Sequence, residues 1–145
     1  IHECGHGLHG LGVSPELATS VLGSGTSLGI CESQSRFWEN LIGRRRSFWE
    51  YFNPHLQPRF PALEDVSLDQ FYRSINAVQP SLIRVEADEV TYNLHILLRF
   101  SLERRMVYVD LQVDDLPDAL RAESKELLGI VPERDTDGVL QDIHW

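Results

Sequence analysis

Ile1-His2-Glu3-Cys4-Gly5-His6 opens the chain, and its H-E-x-x-H spacing acquires a chemical meaning if the segment is a helix. At about 100° and 1.5 Å per residue, His2 and His6 then stand roughly 40° apart and one turn along the axis, so both imidazoles reach one ion. Catalytic zinc takes three protein ligands and a water. Glu3, about 100° round the helix from His2, reaches that water as general base while binding no metal itself. The pattern predicts metal-assisted hydrolysis. The plainer alternative is a chance His/Glu pair on a solvated helix. Glycines at 5, 7, 10 and 12 count against it, because each costs about 1 kcal/mol relative to alanine inside a helix, and their presence suggests a close approach of another backbone. The longer zinc-protease form, which continues x-x-G-x-x-H, fails here because position 9 is His and position 12 is Gly. The third ligand must lie further along.

At 145 residues the chain has the size of one domain, and 42% hydrophobic content with three Trp, six Phe and four Tyr is enough to bury a core. It begins with Ile, and a catalytic helix that opens at residue 2 leaves His2 in a first turn whose N–H groups lack partners. The expectation is therefore that residues 1–145 are a catalytic-core fragment of a larger domain. A net charge of −9, from 22 acidic and 13 basic residues, argues against nucleic acid as a partner, since phosphate binding needs a basic face. With no signal-peptide pattern and no long apolar run, no membrane partner is expected. Two cysteines, Cys4 and Cys31, make no disulfide framework and favour a reducing, cytoplasmic setting.

Gly10 and Gly12 end the first periodic stretch, Ser14-Pro15-Glu16 is a turn able to start a short helical segment, and Gly23 to Ser27 is a loop. Apolar residues at 37, 38, 41, 42, 48, 49 and 52 predict a long amphipathic helix ending at Asn53-Pro54, with Phe37, Trp38, Phe48 and Trp49 in the core and Arg44-Arg45-Arg46 on a solvated face. Glu32 stands at the head of that helix, 26 positions after His6. A carboxylate from a second helix would complete a zinc site, but Glu32 is equally placed to pair with Arg36 four residues on. Ser67-Leu68-Asp69-Gln70 reads as a capping box opening a short helix through Asn76. Residues 82–105 are expected to form the longest helix, with Ala87, Val90, Leu94 and Leu97 as its apolar stripe. Arg84, Asp88, Thr91, His95 and Arg99 form a polar ladder on another face, either structural ion pairs or the wall of a wet cleft. Asp115 and Pro117 start a helix over 116–128 that Gly129 stops, and Asp135 to Gly138 is a turn.

In order and spacing these motifs resemble the carboxypeptidase Taq family of metallocarboxypeptidases along the whole chain. The blocks are His2-Glu3-Cys4-Gly5-His6, Cys31-Glu32-Ser33-Gln34, Ile83-Arg84-Val85-Glu86-Ala87-Asp88 and Gly138-Val139-Leu140-Gln141-Asp142-Ile143-His144-Trp145. The resemblance implies a mainly α, neurolysin-like fold, here truncated at both ends, with one Zn²⁺ or another divalent ion such as Co²⁺ on His2, His6 and Glu32, and Glu3 as general base. It also implies release of single residues from peptide C-termini, with the full-length protein a homodimer. The family usually has His at position 31, where this chain has Cys, and commonly an aromatic at position 9, where it has His. Family members also carry a long helical region ahead of H-E-x-x-H and a Gly-, Tyr- and Pro-rich tail beyond the final His-Trp.

An exopeptidase must hold the free carboxylate of its substrate, and Arg84 suits that task because a guanidinium fork matches a carboxylate in bidentate fashion. His144 and His95 are candidate donors to the tetrahedral oxyanion. Asp88 and Asp142 could orient ligand histidines from outside the coordination sphere. Two rivals remain at this level: an endopeptidase, which would lack the carboxylate anchor, and a truncated helical module that binds metal or peptide without turnover.

Overall fold

A computed structural model describes residues 1–24, 27–108 and 110–141, and among these every regular element is helical. The α-helices are α1 (His2–Leu11), α2 (Leu28–Arg36), α3 (Arg46–Leu56), α4 (Leu68–Ile75), α5 (Tyr92–Val107) and α6 (Leu116–Leu127). The chain divides into two compact units, Ile1–Asn76 and Ala77–Trp145.

In the first unit α1 packs on α2, and Gly5 is the reason the two can approach so closely. A Cβ at Gly5 would sit 2.6 Å from the Ser35 Cα and 2.9 Å from the Gln34 carbonyl oxygen. The close approach suggested by the glycines is thus real at Gly5, whereas Gly7 and Gly10 face open space. Ser14 to Ser20 forms hydrogen-bonded turns and no helix. The Ser27 hydroxyl caps α2 by accepting from the Ile30 N–H at 3.2 Å.

The single long helix expected through residues 37–52 is broken. A π-helical turn, Phe37–Ile42, follows α2, and the Gly43 N–H reaches back to the Trp38 carbonyl at 2.8 Å. Arg45 is extended, and α3 then starts afresh at Arg46 and runs past Pro54 to Leu56. The three arginines at the break are not simply a solvated face. Arg44 donates to the Ile75 carbonyl and, at 3.2 Å, to Asn40, while Arg46 pairs with Asp69 of α4. Nor are the four aromatics a buried core. Phe37 is 43% exposed, and Trp38, Phe48 and Trp49 are half-buried. Trp49 stands edge-on to Phe48 and Phe71 and donates its indole N–H to the Gly43 carbonyl at 2.6 Å. The capping box at Ser67 and Gln70 forms as expected, with both reciprocal bonds present.

The second unit holds the buried apolar core: Leu98 and Leu102 of α5, Leu116 and Leu120 of α6, and Leu111 and Leu128 on either side of α6. α6 occupies nearly its expected span and ends at Gly129, whose φ of +73° is the left-handed conformation that glycine adopts without steric cost. The expected helix over 82–105 starts ten residues late. Arg84–Glu86 is a 3-10 turn, Ala87 is extended, and α5 begins only at Tyr92. Asp88 explains the delay, because its carboxylate accepts from the N–H groups of Val90 (2.8 Å) and Thr91 (2.9 Å) and from the Thr91 hydroxyl (2.8 Å). Such local bonds compete with helix and then cap it. The inward stripe of α5 is accordingly Leu94, Leu98, Leu102 and Met106, while Val90 and Leu97 are more than half exposed. Arg84 and Asp88 lie before the helix, so only Thr91, His95 and Arg99 of the ladder share a helical face.

Candidate metal centre

Four residues apart on α1, His2 and His6 present their rings to α2 with centroids 5.0 Å apart. Glu32, in the second turn of α2, meets both: its Oε2 lies 3.4 Å from His2 Nε2 and its Oε1 lies 3.6 Å from His6 Nε2. One ligand atom from each of the three residues falls within 4.8 Å of the others, the only such group of three among the described residues. A tetrahedral ion with bonds of about 2.0–2.2 Å holds its ligand atoms roughly 3.3–3.6 Å apart. The two His–Glu separations have that length, each to a different carboxylate oxygen, and two imidazoles and a carboxylate converging in this way are a donor set that fits a divalent ion.

Glu32 lies beside the histidines and not beside Arg36. Arg36 forms its 2.9 Å ion pair with Glu39, whereas Glu32 faces the histidines and accepts from the buried Ser35 hydroxyl at 3.0 Å. That hydroxyl also lies 2.8 Å from the Glu32 carbonyl, and its single proton serves one acceptor at a time. Glu39 is a participant that the sequence reading missed. Its Oε2 lies 2.8 Å from Nδ1 of His2 and accepts from Arg36. Burial alone would raise the Glu39 carboxyl, but the hydrogen bond with His2 and the charges of Arg36, His2 and Arg44 outweigh it and hold the group below the ordinary carboxylate range. The available signal was the seven-residue interval from Glu32, close to two full helical turns.

Glu3 is exposed and makes no hydrogen bond or ion pair to a described residue. Cys31 is half-buried, Cys4 is exposed, and both are free thiols outside the group of ligand atoms.

The remaining candidates belong to the second unit. Arg84 is half-buried and donates to the Tyr92 hydroxyl at 3.0 Å, with its guanidinium 5.9 Å from the ring centre. Asp88, in addition to its bonds with Val90 and Thr91, accepts from the Gln79 N–H at 3.0 Å. Buried at 5% exposure, His95 has an Nε2 without a partner among the described residues. Burial pushes its imidazole below the ordinary range and the Arg84 charge acts in the same sense, against the opposing pull of the Ser81 carbonyl and Asp88. His95, Arg84, Arg99 and Gln141 line a cavity of about 30 Å³, room for one or two waters. Asp142 and His144 lie outside the described residues.

Residues 1–145 match the carboxypeptidase Taq (M32) metallopeptidase family from end to end. The chain belongs to that family. Over its whole length it is 50% identical to thermostable carboxypeptidase 1 of Thermus thermophilus and 44% identical to carboxypeptidase 1 of Bacillus subtilis. It spans 28% and 29% of the lengths of these two curated relatives. Among solved structures, the M32 carboxypeptidase of Deinococcus radiodurans is 48% identical and superposes with a TM-score of 0.91, covering 99% of this chain and 29% of that one. Trypanosoma cruzi metallocarboxypeptidase 1 is 35% identical with a TM-score of 0.90, covering 100% of this chain and 30% of that one. Membership of the M32 family implies a divalent metal ion, and it agrees with the helical fold.

Proposed function

We propose that this protein, in its full length, is a metal-dependent carboxypeptidase that releases single residues from the C-termini of peptides. The observation that carries the reading is the His2–Glu32–His6 group, whose ligand atoms lie within 4.8 Å of one another and suit a divalent ion, zinc or a substitute such as cobalt, one per chain. A divalent ion held there would polarise the scissile carbonyl and lower the pKa of a water. Glu3 takes that water's proton on its carboxylate and returns it to the leaving amine, a role supported by its position beside His2 and by its having no hydrogen bond or ion pair to a described residue. Arg84 receives the terminal carboxylate of the substrate, its side chain directed by the Tyr92 hydroxyl. His144 is the donor to the oxyanion in this scheme, with Asp142 orienting a histidine from outside the coordination sphere.

A larger domain of which residues 1–145 are the catalytic core, a homodimer, and a reducing, cytoplasmic setting complete the reading. Two free thiols support the last, and the net charge of −9 supports a peptide over a nucleic acid as partner.

The test compares free-acid and C-amidated peptides by mass spectrometry of the products. The free acid should lose one residue at a time, the amide should resist, and a chelator should stop the reaction. Glu3→Gln should retain metal and lose turnover. Arg84→Ala should slow free-acid cleavage about 10- to 150-fold, the equivalent of the 1.5–3 kcal/mol of a charge-assisted contact. Internal cleavage, or equal rates for acid and amide, would make the protein an endopeptidase. Metal uptake without any hydrolysis would make it a binding module.

A further inference from the structure

His2 and His6 are not held alike. Nδ1 of His2 is hydrogen-bonded to Glu39 Oε2 at 2.8 Å, while its Nε2 faces Glu32 at 3.4 Å without a hydrogen bond, so this ring is held at Nδ1. His6 meets Glu32 alone, at 3.6 Å, and no described residue takes a hydrogen bond at its Nδ1. Glu39 is itself held, by the Arg36 guanidinium at 2.9 Å three residues before it. It rides on the π-helical turn Phe37–Ile42, which packs against α1, and wide turns of this kind recur at functional sites.

We propose that Glu39 is a positioning residue for the metal centre: it takes the Nδ1 proton of His2 in a hydrogen bond, fixes the tautomer in which Nε2 keeps its lone pair, and aims that lone pair at the locus shared with Glu32 and His6. The inference rests on the reading of His2, His6 and Glu32 as metal ligands. Its chemistry is general. A neutral imidazole has one donor and one acceptor nitrogen, so a carboxylate that claims the Nδ1 proton leaves Nε2 as acceptor. The same bond stops the ring from turning about its Cβ–Cγ axis and makes its nitrogen a stronger donor to the ion. Arg36 acts one step further out by keeping the Glu39 carboxylate in place. The bland alternative makes Glu39 no more than the i,i+3 partner of Arg36, tying α2 to the turn that follows.

Two measurements separate these. The first is the ¹⁵N spectrum of the His2 imidazole in the metal-free chain under alkaline conditions, where neutral rings prevail. Protonated Nδ1 and bare Nε2 are expected, and Glu39→Ala should redistribute the tautomers. A proton on Nε2 in the unsubstituted chain would overturn the proposal. The second is titration with zinc ion alone, with helicity monitored by circular dichroism. Glu39→Ala should weaken zinc binding about 10- to 100-fold, the range measured for such outer partners. Glu39→Gln, whose amide oxygen can still accept from Nδ1, should recover part of the loss. Arg36→Met should cost less than Glu39→Ala. Equal zinc affinity in all four proteins, or an Arg36→Met loss as large as that of Glu39→Ala with no rescue by Gln, would leave only the ion-pair role. If the unsubstituted chain takes up no zinc, the metal reading itself fails, and the tautomer spectrum still decides where the His2 proton sits.

Discussion

Asp88 shows how one side chain can redirect a reading made from pattern alone. As part of a ladder with Arg84 and His95 it was open to reading as an ion-pair partner or as part of a cleft wall, and its oxygens are taken by the N–H groups of Gln79, Val90 and Thr91 and by the Thr91 hydroxyl. Burial alone would raise its carboxyl, but those bonds outweigh it and set the group below the ordinary range. A carboxylate with a depressed folded-state pKa stabilises the fold above its unfolded value of about 3.9 and loses that contribution as pH falls through the folded value. Asp88→Ala should therefore destabilise the second unit by about 1–2 kcal/mol at neutral pH, as the loss of a helix cap does. Asp88→Asn should cost less, and its deficit against the unsubstituted protein should close as the pH is lowered below about 4. Urea melts at neutral and acid pH read both effects, and a deficit independent of pH would contradict a role for the charge. Glu39 is the converse case, a residue with no motif to announce it that turns out to grip His2.

At the scale of the helix, what could be read in the sequence was whatever is encoded within one turn or by a strict repeat. The Ser67/Gln70 capping box lies within four residues and formed as expected, and α6, bounded by Pro117 and Gly129, occupies nearly its predicted span. The break between α2 and α3 was hidden because positions 41 and 48, and 42 and 49, are seven apart, so the apolar phase is the same on both sides of Gly43. Glu32 was legible as a carboxylate at the start of a helix, but its choice between Arg36 and the histidines depends on how α1 crosses α2, which is long-range information. Gly5 controls that crossing. Gly5→Ala gains up to about 1 kcal/mol in helix propensity but drives a methyl into the Ser35 and Gln34 backbone, an overpacking that costs about 1–3 kcal/mol. The net effect should be a lower melting temperature and weaker zinc binding, because α1 must withdraw from α2 and carry its histidines away from Glu32. Gly7→Ala meets nothing within 4 Å and should raise the melting temperature while leaving zinc affinity unchanged. If the two substitutions behave alike, the close approach is not what fixes the site.

Across the whole molecule the buried apolar side chains and the candidate ligands are unevenly shared. Among the described residues, the six buried leucines of the apolar core all belong to the unit that begins at Ala77, whereas His2, His6 and Glu32 belong to Ile1–Asn76, whose aromatics are half-buried or exposed. A unit with little buried apolar surface has a shallow stability of its own, so a bound ion contributes a large share of it. Zinc at about a hundred times its dissociation constant stabilises the state that binds it by about 2.7 kcal/mol, equivalent to about a hundredfold slowing of amide exchange wherever opening breaks the site. Hydrogen exchange with and without zinc should show that slowing in α1, α2 and the π-helical turn, where loss of Glu32 or either histidine should abolish it. The amides of α5 and α6 should be protected to an extent set by their own leucine core and should change little on adding the ion. Uniform slowing along the chain would show instead that the two units open together, and no slowing in α1 and α2 would mean that His2, His6 and Glu32 do not hold the ion.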